Sequence, residues 1–278
     1  NSKMLITIIT VCKNPGKSIQ KTVESVLTQS FANIEYIVID GASTDGTAAW
    51  LKSFNSPDPS INSERPSLSK RGRLMESFKF ISEPDTGIYN AMNKGINLAT
   101  GKYLLFLNAG DYLVNNDIIL EVVKNIDDNV QNCGIYFGNI ISEDPETGNR
   151  YNSTNRLINI NSVKLFFWCI PHAASFIKRD LIKHVGGYEE HFKIAGDYDF
   201  FLKAYHIEKA VILHIPVTVS VFGTDGISSK NSRLLRSEDL QIIKRYYGTF
   251  AKFLYTFTLM MVFLRFFYKV WLRFEKNS

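Results

Sequence analysis

The sequence predicts an α/β fold with a mostly parallel central sheet flanked by helices. Residues 4–12, 35–40 and 103–107 form dense apolar runs of strand length. Such runs are typical of strands that are covered on both faces. A strand–helix–strand–helix order fills residues 1–52, which indicates a right-handed parallel unit at the start of the chain.

The composition bounds the class of protein. The chain has 278 residues, 45% of them hydrophobic and 21% charged, as in ordinary globular enzymes. Cys12, Cys133 and Cys169 are odd in number and lack paired spacing, which indicates a reducing compartment and neither a disulfide framework nor a Cys-based zinc site. We expect no secretory signal, because the first predicted strand begins at Met4. Most of the net charge of +5 lies in residues 249–278, so bulk charge does not predict a nucleic-acid partner.

The remaining elements follow from their patterns in chain order. Ser18 is a plausible N-cap for the first helix, and Asp85 or Thr86 for a helix over 86–99. A Ser- and Pro-rich stretch, 53–73, predicts a surface insertion. The other predicted strands are 78–82, 134–141, 173–178 and 210–222. A further helix is predicted to begin after residue 46, and the remaining predicted helices are 118–126, 179–185, 197–206 and 237–247.

Asp40 and Asp85 are candidate ligand-binding residues at one edge of the sheet. Ligands of parallel sheets bind outside the carboxyl ends of strands, and Asp40 ends the second predicted strand. It could accept hydrogen bonds from a base or a ribose. Asn93 and Lys94 follow Asp85 on the next helix and are expected near the same edge. The alternative is structural: a capped turn after Asp40 and a solvent-facing polar helix face.

Asp111 and Asp197 are candidates for the chemistry. Asp111 follows the apolar strand at 103–107 directly, and a carboxylate there suits a hard cation such as Mg²⁺ or Mn²⁺. Asp197 and Asp199 open a predicted helix, where an ionised carboxylate could act as a general base. Helix capping is the competing explanation for one of these two acids.

These motifs, taken in order, resemble those of inverting glycosyltransferases of family 2, which have the Rossmann-like GT-A fold. The resemblance covers roughly residues 4–228. The segments that carry it are 10–14, 40–47, 83–95, 101–111, 171–176, 186–188 and 196–199.

The resemblance implies a role for each matching residue. A divalent metal, Mn²⁺ or Mg²⁺, would be held by Asp111, with His214 as a second candidate. Asp197 would be the catalytic base that deprotonates the acceptor. The residues expected to bind the nucleotide-sugar are Thr10, Val11, Cys12, Asp40, Asp85, Asn93, Lys94, Asn108, Ala109 and His172.

The chain departs from the family pattern before Asp111. Asn108 and Gly110 stand where the family commonly has further carboxylates, so the metal would be held mainly by Asp111 and the diphosphate. Asn90 stands where related sequences often carry Asp.

The resemblance also implies an organisation and an activity. Residues 1–228 would form the catalytic domain, with a nucleotide-sugar half at 1–111 and an acceptor half at 112–228. The enzyme would transfer a hexosyl or N-acetylhexosaminyl group, most naturally from a UDP-sugar, to a glycan or lipid-linked hydroxyl in bacterial O-antigen or capsule synthesis. A nucleotidyltransferase and a nucleotide-sugar-binding protein without turnover are the alternatives. The sequence does not indicate an oligomeric state.

Residues 229–278 are expected to form a helical extension. Its uncharged run, 253–264, is shorter than the roughly 20 residues that a spanning helix needs. Arg265, Lys269 and Arg273 recur at four-residue steps, which favours an amphipathic helix on the membrane surface. The expected location is therefore cytoplasmic, at the inner face of a bacterial membrane. The alternative is a helix docked on the catalytic domain or on a second copy of the chain.

Overall fold

The computed structural model describes residues 5–53, 78–144, 146–153, 160–224 and 226–275. Of residues 257–275 only the backbone is described. The predicted insertion at 53–73 therefore lies outside the described residues, apart from Ser53.

The described residues form a mixed α/β fold around one sheet. The strands are β1 (Ile6–Cys12), β2 (Ile34–Asp40), β3 (Phe78–Ser82), β4 (Tyr103–Phe106), β5 (Tyr112–Leu113), β6 (Cys133–Glu143), β7 (Arg150–Ser153), β8 (Ser175–Lys178) and β9 (Val211–Gly223). Strands β1, β2, β3 and β4 are parallel, in the order β3-β2-β1-β4. The sheet continues through β8, β6, β9 and β5, and β7 pairs with β6.

Helices cover both faces of the sheet. They are α1 (Ser18–Leu27), α2 (Thr47–Ser53), α3 (Ile88–Leu98), α4 (Ile118–Asn125), α5 (Ser162–Phe167), α6 (Arg179–Val185), α7 (Gly196–His206), α8 (Ile227–Lys230) and α9 (Ser232–Glu275). Because side chains alternate along a strand, Ile8 of β1 packs into one apolar core with α1 and α4, whereas Ile9 packs into the other with α3, α6 and α7. The predicted fold class is confirmed.

Three local predictions were wrong. Ser18 is the first helical residue of α1 and its hydroxyl donates to Pro15 O, so it does not cap the helix. Neither Asp85 nor Thr86 caps α3, whose N-cap position is Gly87. The strand expected at 173–178 begins at Ser175, after a short 3-10 turn that starts at His172.

The C-terminal helix α9 is interrupted at Gly248. The φ of this residue is 83°, a left-handed conformation that glycine adopts without strain. Before the break, α9 packs on the apolar core that contains α3, α6 and α7 through Ile242 and Ile243, which are both buried. Within the described part of the chain, no helix combines the length and apolar character needed to cross a bilayer.

Candidate active site

A cavity of about 1000 Å³ opens at the carboxyl ends of β1 and β4. Asp85, Asp111 and Asp197 all line it. Two lysines, Lys13 and Lys193, add positive charge to the same walls. The other predicted site residues on its walls are Val11, Cys12, Asn108, Ala109 and His172.

Asp85 reaches the cavity because Gly41 leaves room for it. A Cβ on Gly41 would lie 2.1 Å from Asp85 Oδ2, much closer than any real contact. The Asp85 side chain is 7% exposed, and its nearest cation is Lys13, with Nζ at 4.0 Å from Oδ1. The glycine that follows β2 therefore allows a carboxylate to lie against the strand end.

Asp40 lies beneath the cavity wall and is fully buried. Its Oδ2 accepts hydrogen bonds from Ser43 N at 3.0 Å and from Ser82 Oγ at 2.6 Å. Its Oδ1 accepts from the Ser43 hydroxyl and from Cys12 Sγ. Burial and the Asp40 carboxylate raise the pKa of the Cys12 thiol, which therefore stays protonated. Asp40 ties the loop after β2 to the ends of β1 and β3.

Thr10, Asn93 and Lys94 do not line the cavity. Thr10 is buried, and its hydroxyl donates to Leu107 O at 2.7 Å. Lys94 Nζ lies 2.7 Å from Glu83 Oε1 and donates to Pro84 O.

Asn93 joins α3 to the loop after α6. Its Oδ1 accepts from Tyr188 N, and its Nδ2 donates to Tyr188 O, both at 2.9 Å. The same Nδ2 also lies 2.9 Å from Glu190 Oε1. The structure thus gives Asn93 a positioning contact with the backbone of Tyr188.

Asn108 and Asp111 belong to the loop between β4 and β5. Asp111 is 5% exposed, and its Oδ1 accepts a hydrogen bond from Gly223 N at 3.2 Å. Asn108 Oδ1 is buried and has no hydrogen-bond partner. An unpaired buried oxygen is costly, so the loop that carries Asp111 also holds an acceptor oxygen whose hydrogen-bonding capacity is unused.

A hydrogen-bonded chain links this loop to Asp197. Asn108 Nδ2 lies 3.1 Å from His172 Nε2, and His172 Nδ1 lies 3.2 Å from Asp197 Oδ2. With Asn108 donating to Nε2, the neutral imidazole carries its proton on Nδ1 and donates it to Asp197. Burial by itself lowers the pKa of His172, but the hydrogen bond to Asp197, together with the charges of Asp197 and Asp111, outweighs it, so this pKa lies above its usual value.

Asp197 is held on its other side by α3 and by its own helix. Its Oδ1 accepts from Tyr198 N at 2.9 Å and from the Tyr89 hydroxyl at 3.4 Å. The Tyr89 ring lies where a side chain at position 196 would be, 2.8 Å from a Cβ built on Gly196. Oδ1 therefore fixes the orientation of the carboxylate, whereas Oδ2 contacts His172 and Cys169, which both line the cavity.

His214 does not reach the cavity. It lies near the start of β9, whereas Asp111 contacts Gly223 at its end. His214 Nε2 is 2.9 Å from Asn139 Oδ1, and burial lowers its pKa. The structure thus does not bring His214 and Asp111 together. In the described ranges, no group of three or more His, Cys, Asp or Glu side chains is arranged to hold a metal.

Glu238 of α9 is a site residue that the sequence patterns did not reveal. Its Oε1 accepts from Lys193 N at 2.8 Å, and its Oε2 accepts from Ile194 N and Ala195 N, both at 2.9 Å. These three amides directly precede the helix that carries Asp197. Glu238 comes from a separate helix 43 residues beyond Ala195, and no motif spacing signals such a contact.

Asp199 has a different role from Asp197. It is 1% exposed, and its Oδ1 accepts from Arg245 Nη1 at 2.8 Å and from the Tyr246 hydroxyl at 3.2 Å. Burial raises its pKa, although Arg245 opposes this. Asp199 therefore anchors α7 to α9 and is not part of the cavity.

Residues 7–193 match the family described as glycosyl transferase family 2, and the chain belongs to that family. It is an enzyme that transfers sugars, which decides against the two alternatives left open by the sequence. An uncharacterised glycosyltransferase of Mycobacterium tuberculosis is 29% identical over 232 residues, which cover 81% of this chain and 77% of the relative. A PGL/p-HBAD biosynthesis glycosyltransferase of Mycobacterium bovis is 27% identical over 222 residues, with 80% and 78% covered.

Two solved structures are similar in fold. Staphylococcus aureus TarS 1-349, in complex with UDP-GlcNAc, has a TM-score of 0.63 at 17% identity, with 88% of this chain and 72% of that chain covered. The mannosyltransferase PcManGT from Pyrobaculum calidifontis, in complex with GDP-Man and Mn²⁺, has a TM-score of 0.62 at 17% identity, with 90% and 66% covered. At this identity the similarity shows a shared GT-A-like fold.

Proposed function

We propose that the enzyme transfers a sugar from a nucleoside-diphosphate sugar, a UDP-sugar first among them, to a hydroxyl of a cell-surface glycan acceptor, with inversion. The observation that carries the proposal is the convergence of Asp85, Asp111 and Asp197 on one cavity. Its volume, about 1000 Å³, lies at the upper end of the range for ligand sites. The named roles of the mycobacterial relative and the sugar nucleotides bound by the two structural neighbours support this substrate class.

Asp197 is the proposed general base. Its Oδ2 takes the proton of the acceptor hydroxyl while the hydroxyl oxygen forms a bond to the anomeric carbon. The bond from that carbon to the diphosphate oxygen breaks with its electron pair, so a single in-line displacement inverts the centre. The hydrogen bonds from His172 and Tyr198 hold the carboxylate in one orientation before the acceptor arrives.

The loop of Asn108 and Asp111 is the proposed site of the diphosphate and of a divalent cation. The Asp111 carboxylate and the unpartnered Asn108 Oδ1 are the oxygen donors that Mn²⁺ and Mg²⁺ prefer. A cation bound there would neutralise charge on the leaving diphosphate. Lys13 and Lys193 bring further positive charge to the same cavity. Asp85 is proposed to bind the nucleotide.

The segment 249–278 is proposed to lie on the cytoplasmic surface of a bacterial membrane. Arg265, Lys269 and Arg273 are spaced to share one helical face, and the backbone is helical through Glu275. This location would place the cavity close to acceptors that are linked to lipid, such as intermediates of O-antigen or capsule.

The test separates chemistry from binding. Asp197→Asn keeps the size of the side chain but removes the base, so transfer should fall by at least about a hundredfold. The variant should still be protected against thermal unfolding by the sugar nucleotide that protects the wild type. UDP-, GDP- and dTDP-sugars, each with and without Mn²⁺, identify that ligand. Asp180→Asn, at a side chain that is 93% exposed, is the matched control. Undiminished transfer by Asp197→Asn would overturn the assignment of the base.

A further inference from the structure

A second, smaller cavity adjoins the first at Asp197. Its volume is about 210 Å³. Both cavities are lined by Trp168, Cys169, Ile194 and Asp197. The proposed base therefore lies on the boundary between a large space and a small one.

The small cavity combines aromatic rings with a carboxylate. Phe167 and Trp168 come from the end of α5 and are 38% and 42% exposed. Tyr255 and Asp239 come from α9, and the Tyr255 hydroxyl lies 3.4 Å from Asp239 Oδ2. Burial, together with the charge of Asp197, raises the pKa of Asp239 to about 6. Asp197 and Asp239 both line this small cavity.

We propose that this cavity binds the sugar ring that carries the acceptor hydroxyl, with Trp168 against the ring and Asp239 accepting a hydrogen bond from a second hydroxyl. The proposal rests on the proposed function, because it assigns the acceptor of the same reaction. A pyranose has a C–H face that packs on an aromatic ring and a rim of hydroxyl donors, which matches this lining.

Two features favour a sugar over a lipid chain. An alkyl chain in this cavity would exclude water from Asp239 and would supply no hydrogen-bond donor in its place. Burying a carboxylate in this way is unfavourable in free energy. The position of Asp197 is the second feature. A ring seated between Trp168 and Asp239 presents its remaining hydroxyls toward the boundary, where Asp197 is available to take a proton.

The experiment uses methyl pyranosides as probes and needs no turnover. Saturation-transfer NMR on the full chain with UDP is recorded for methyl α- and β-glycosides of glucose, galactose, mannose and N-acetylglucosamine, at a pH well above the pKa of Asp239. At least one glycoside should receive saturation from the wild type. Trp168→Ala should abolish that signal, and Asp239→Asn should weaken the affinity about tenfold or more, the usual effect of losing a hydrogen bond to a charged group.

Matched variants and one further probe make the outcome decisive. Tyr151→Ala removes an aromatic ring that is 61% exposed and lies outside the cavity, and Asp180→Asn neutralises an exposed carboxylate. Both should bind glycosides like the wild type.

The proposal fails if no glycoside binds, if neither cavity variant differs from its control, or if 1-octanol binds in place of the glycosides. Thermal protection by UDP is measured on the same samples: protection without glycoside binding overturns only the acceptor assignment, whereas glycoside binding without protection overturns only the donor assignment.

Discussion

Glu238 Oε2 accepts a hydrogen bond from Ala195 N at 2.9 Å, two residues before Asp197. The carboxylate is 5% exposed and takes two further amides of the same turn. Carboxylates are favoured at helix N-termini because of the helix dipole. Here the carboxylate at the N-terminus of α7 belongs to a residue of α9. The C-terminal helix therefore fixes the start of α7 and, through it, the proposed base.

Removing the Glu238 carboxylate should lower both stability and turnover. Glu238→Ala leaves three backbone amides without an acceptor, which should cost about 2–4 kcal/mol of unfolding free energy. Since the turn before Asp197 loses its anchor, kcat should fall while thermal protection by the donor nucleotide persists. Denaturant unfolding and steady-state kinetics measure the two effects. Glu121→Ala, at an exposed position of α4, is the control, and an equal loss in both variants would contradict the anchoring role.

Gly41 and Asp85 should show strong non-additivity in nucleotide binding. Gly41→Ala places a methyl group where the Asp85 carboxylate lies, so it should displace that side chain and weaken binding about as much as Asp85→Ala does. In a chain that already carries Asp85→Ala, the second change should have little further effect. Titration with the protecting sugar nucleotide gives the four affinities of the cycle. Additive losses would show that Gly41 acts independently of Asp85.

Asp239→Asn should change how stability depends on pH. Burial and the charge of Asp197 raise the folded-state pKa of Asp239 to about 6, above the ordinary value of an aspartate, so the folded protein binds the proton more tightly than the unfolded chain. The stability that the protonated Asp239 carboxyl contributes to the folded state is fully present below about pH 4 and is lost as pH rises through about 6. The variant should therefore gain stability relative to the wild type across this window, by on the order of 1–2 kcal/mol after solvent screening.

Parallel unfolding curves between about pH 4 and pH 7 measure that gain. Asp180→Asn, at a side chain that is 93% exposed, should follow the wild type at every pH. A difference between Asp239→Asn and the wild type that does not vary with pH would contradict the raised pKa.

Charge reversal in the tail should detach the protein from anionic membranes. The triple variant Arg265→Glu, Lys269→Glu and Arg273→Glu removes three basic groups, each worth about 1 kcal/mol near an anionic surface. It should sediment far less with vesicles of phosphatidylcholine and phosphatidylglycerol than the wild type does. Deletion of 249–278 should have at least the same effect, but it also removes Tyr255 from the small cavity. Unchanged sedimentation of the deletion variant would exclude membrane binding by this segment.

The sequence predicted the elements that end at the cavity better than the contacts within it. Asp85, Asp111 and Asp197 were expected together because each follows or precedes a recognisable element at one sheet edge, and all three line the cavity. Asn93 was expected there as well, but its amide lies against the backbone of Tyr188. Helical spacing places a residue on a face of a helix without showing what that face contacts.

Long-range polar contacts were beyond sequence reasoning for a physical reason. His172 and Asp197 are 25 residues apart, and Glu238 and Ala195 are 43 apart. Such pairs form because the packing of whole helices brings them together, and no local pattern encodes the result. Asp199 shows the same limit, since only the position of Arg245 on α9 distinguishes an anchoring acid from a reactive one.

The break at Gly248 divides α9 into two parts. Glu238 and Arg245, which hold the turn and helix around Asp197, precede the break, whereas Tyr255 follows it. A chimaera joined at residue 248 would therefore take Trp168, Asp239 and the contacts that hold Asp197 from one parent, and only Tyr255 of the small cavity from the other. Exchange of the terminal segment would thus replace one aromatic wall of that cavity and leave the proposed base and its supports unchanged.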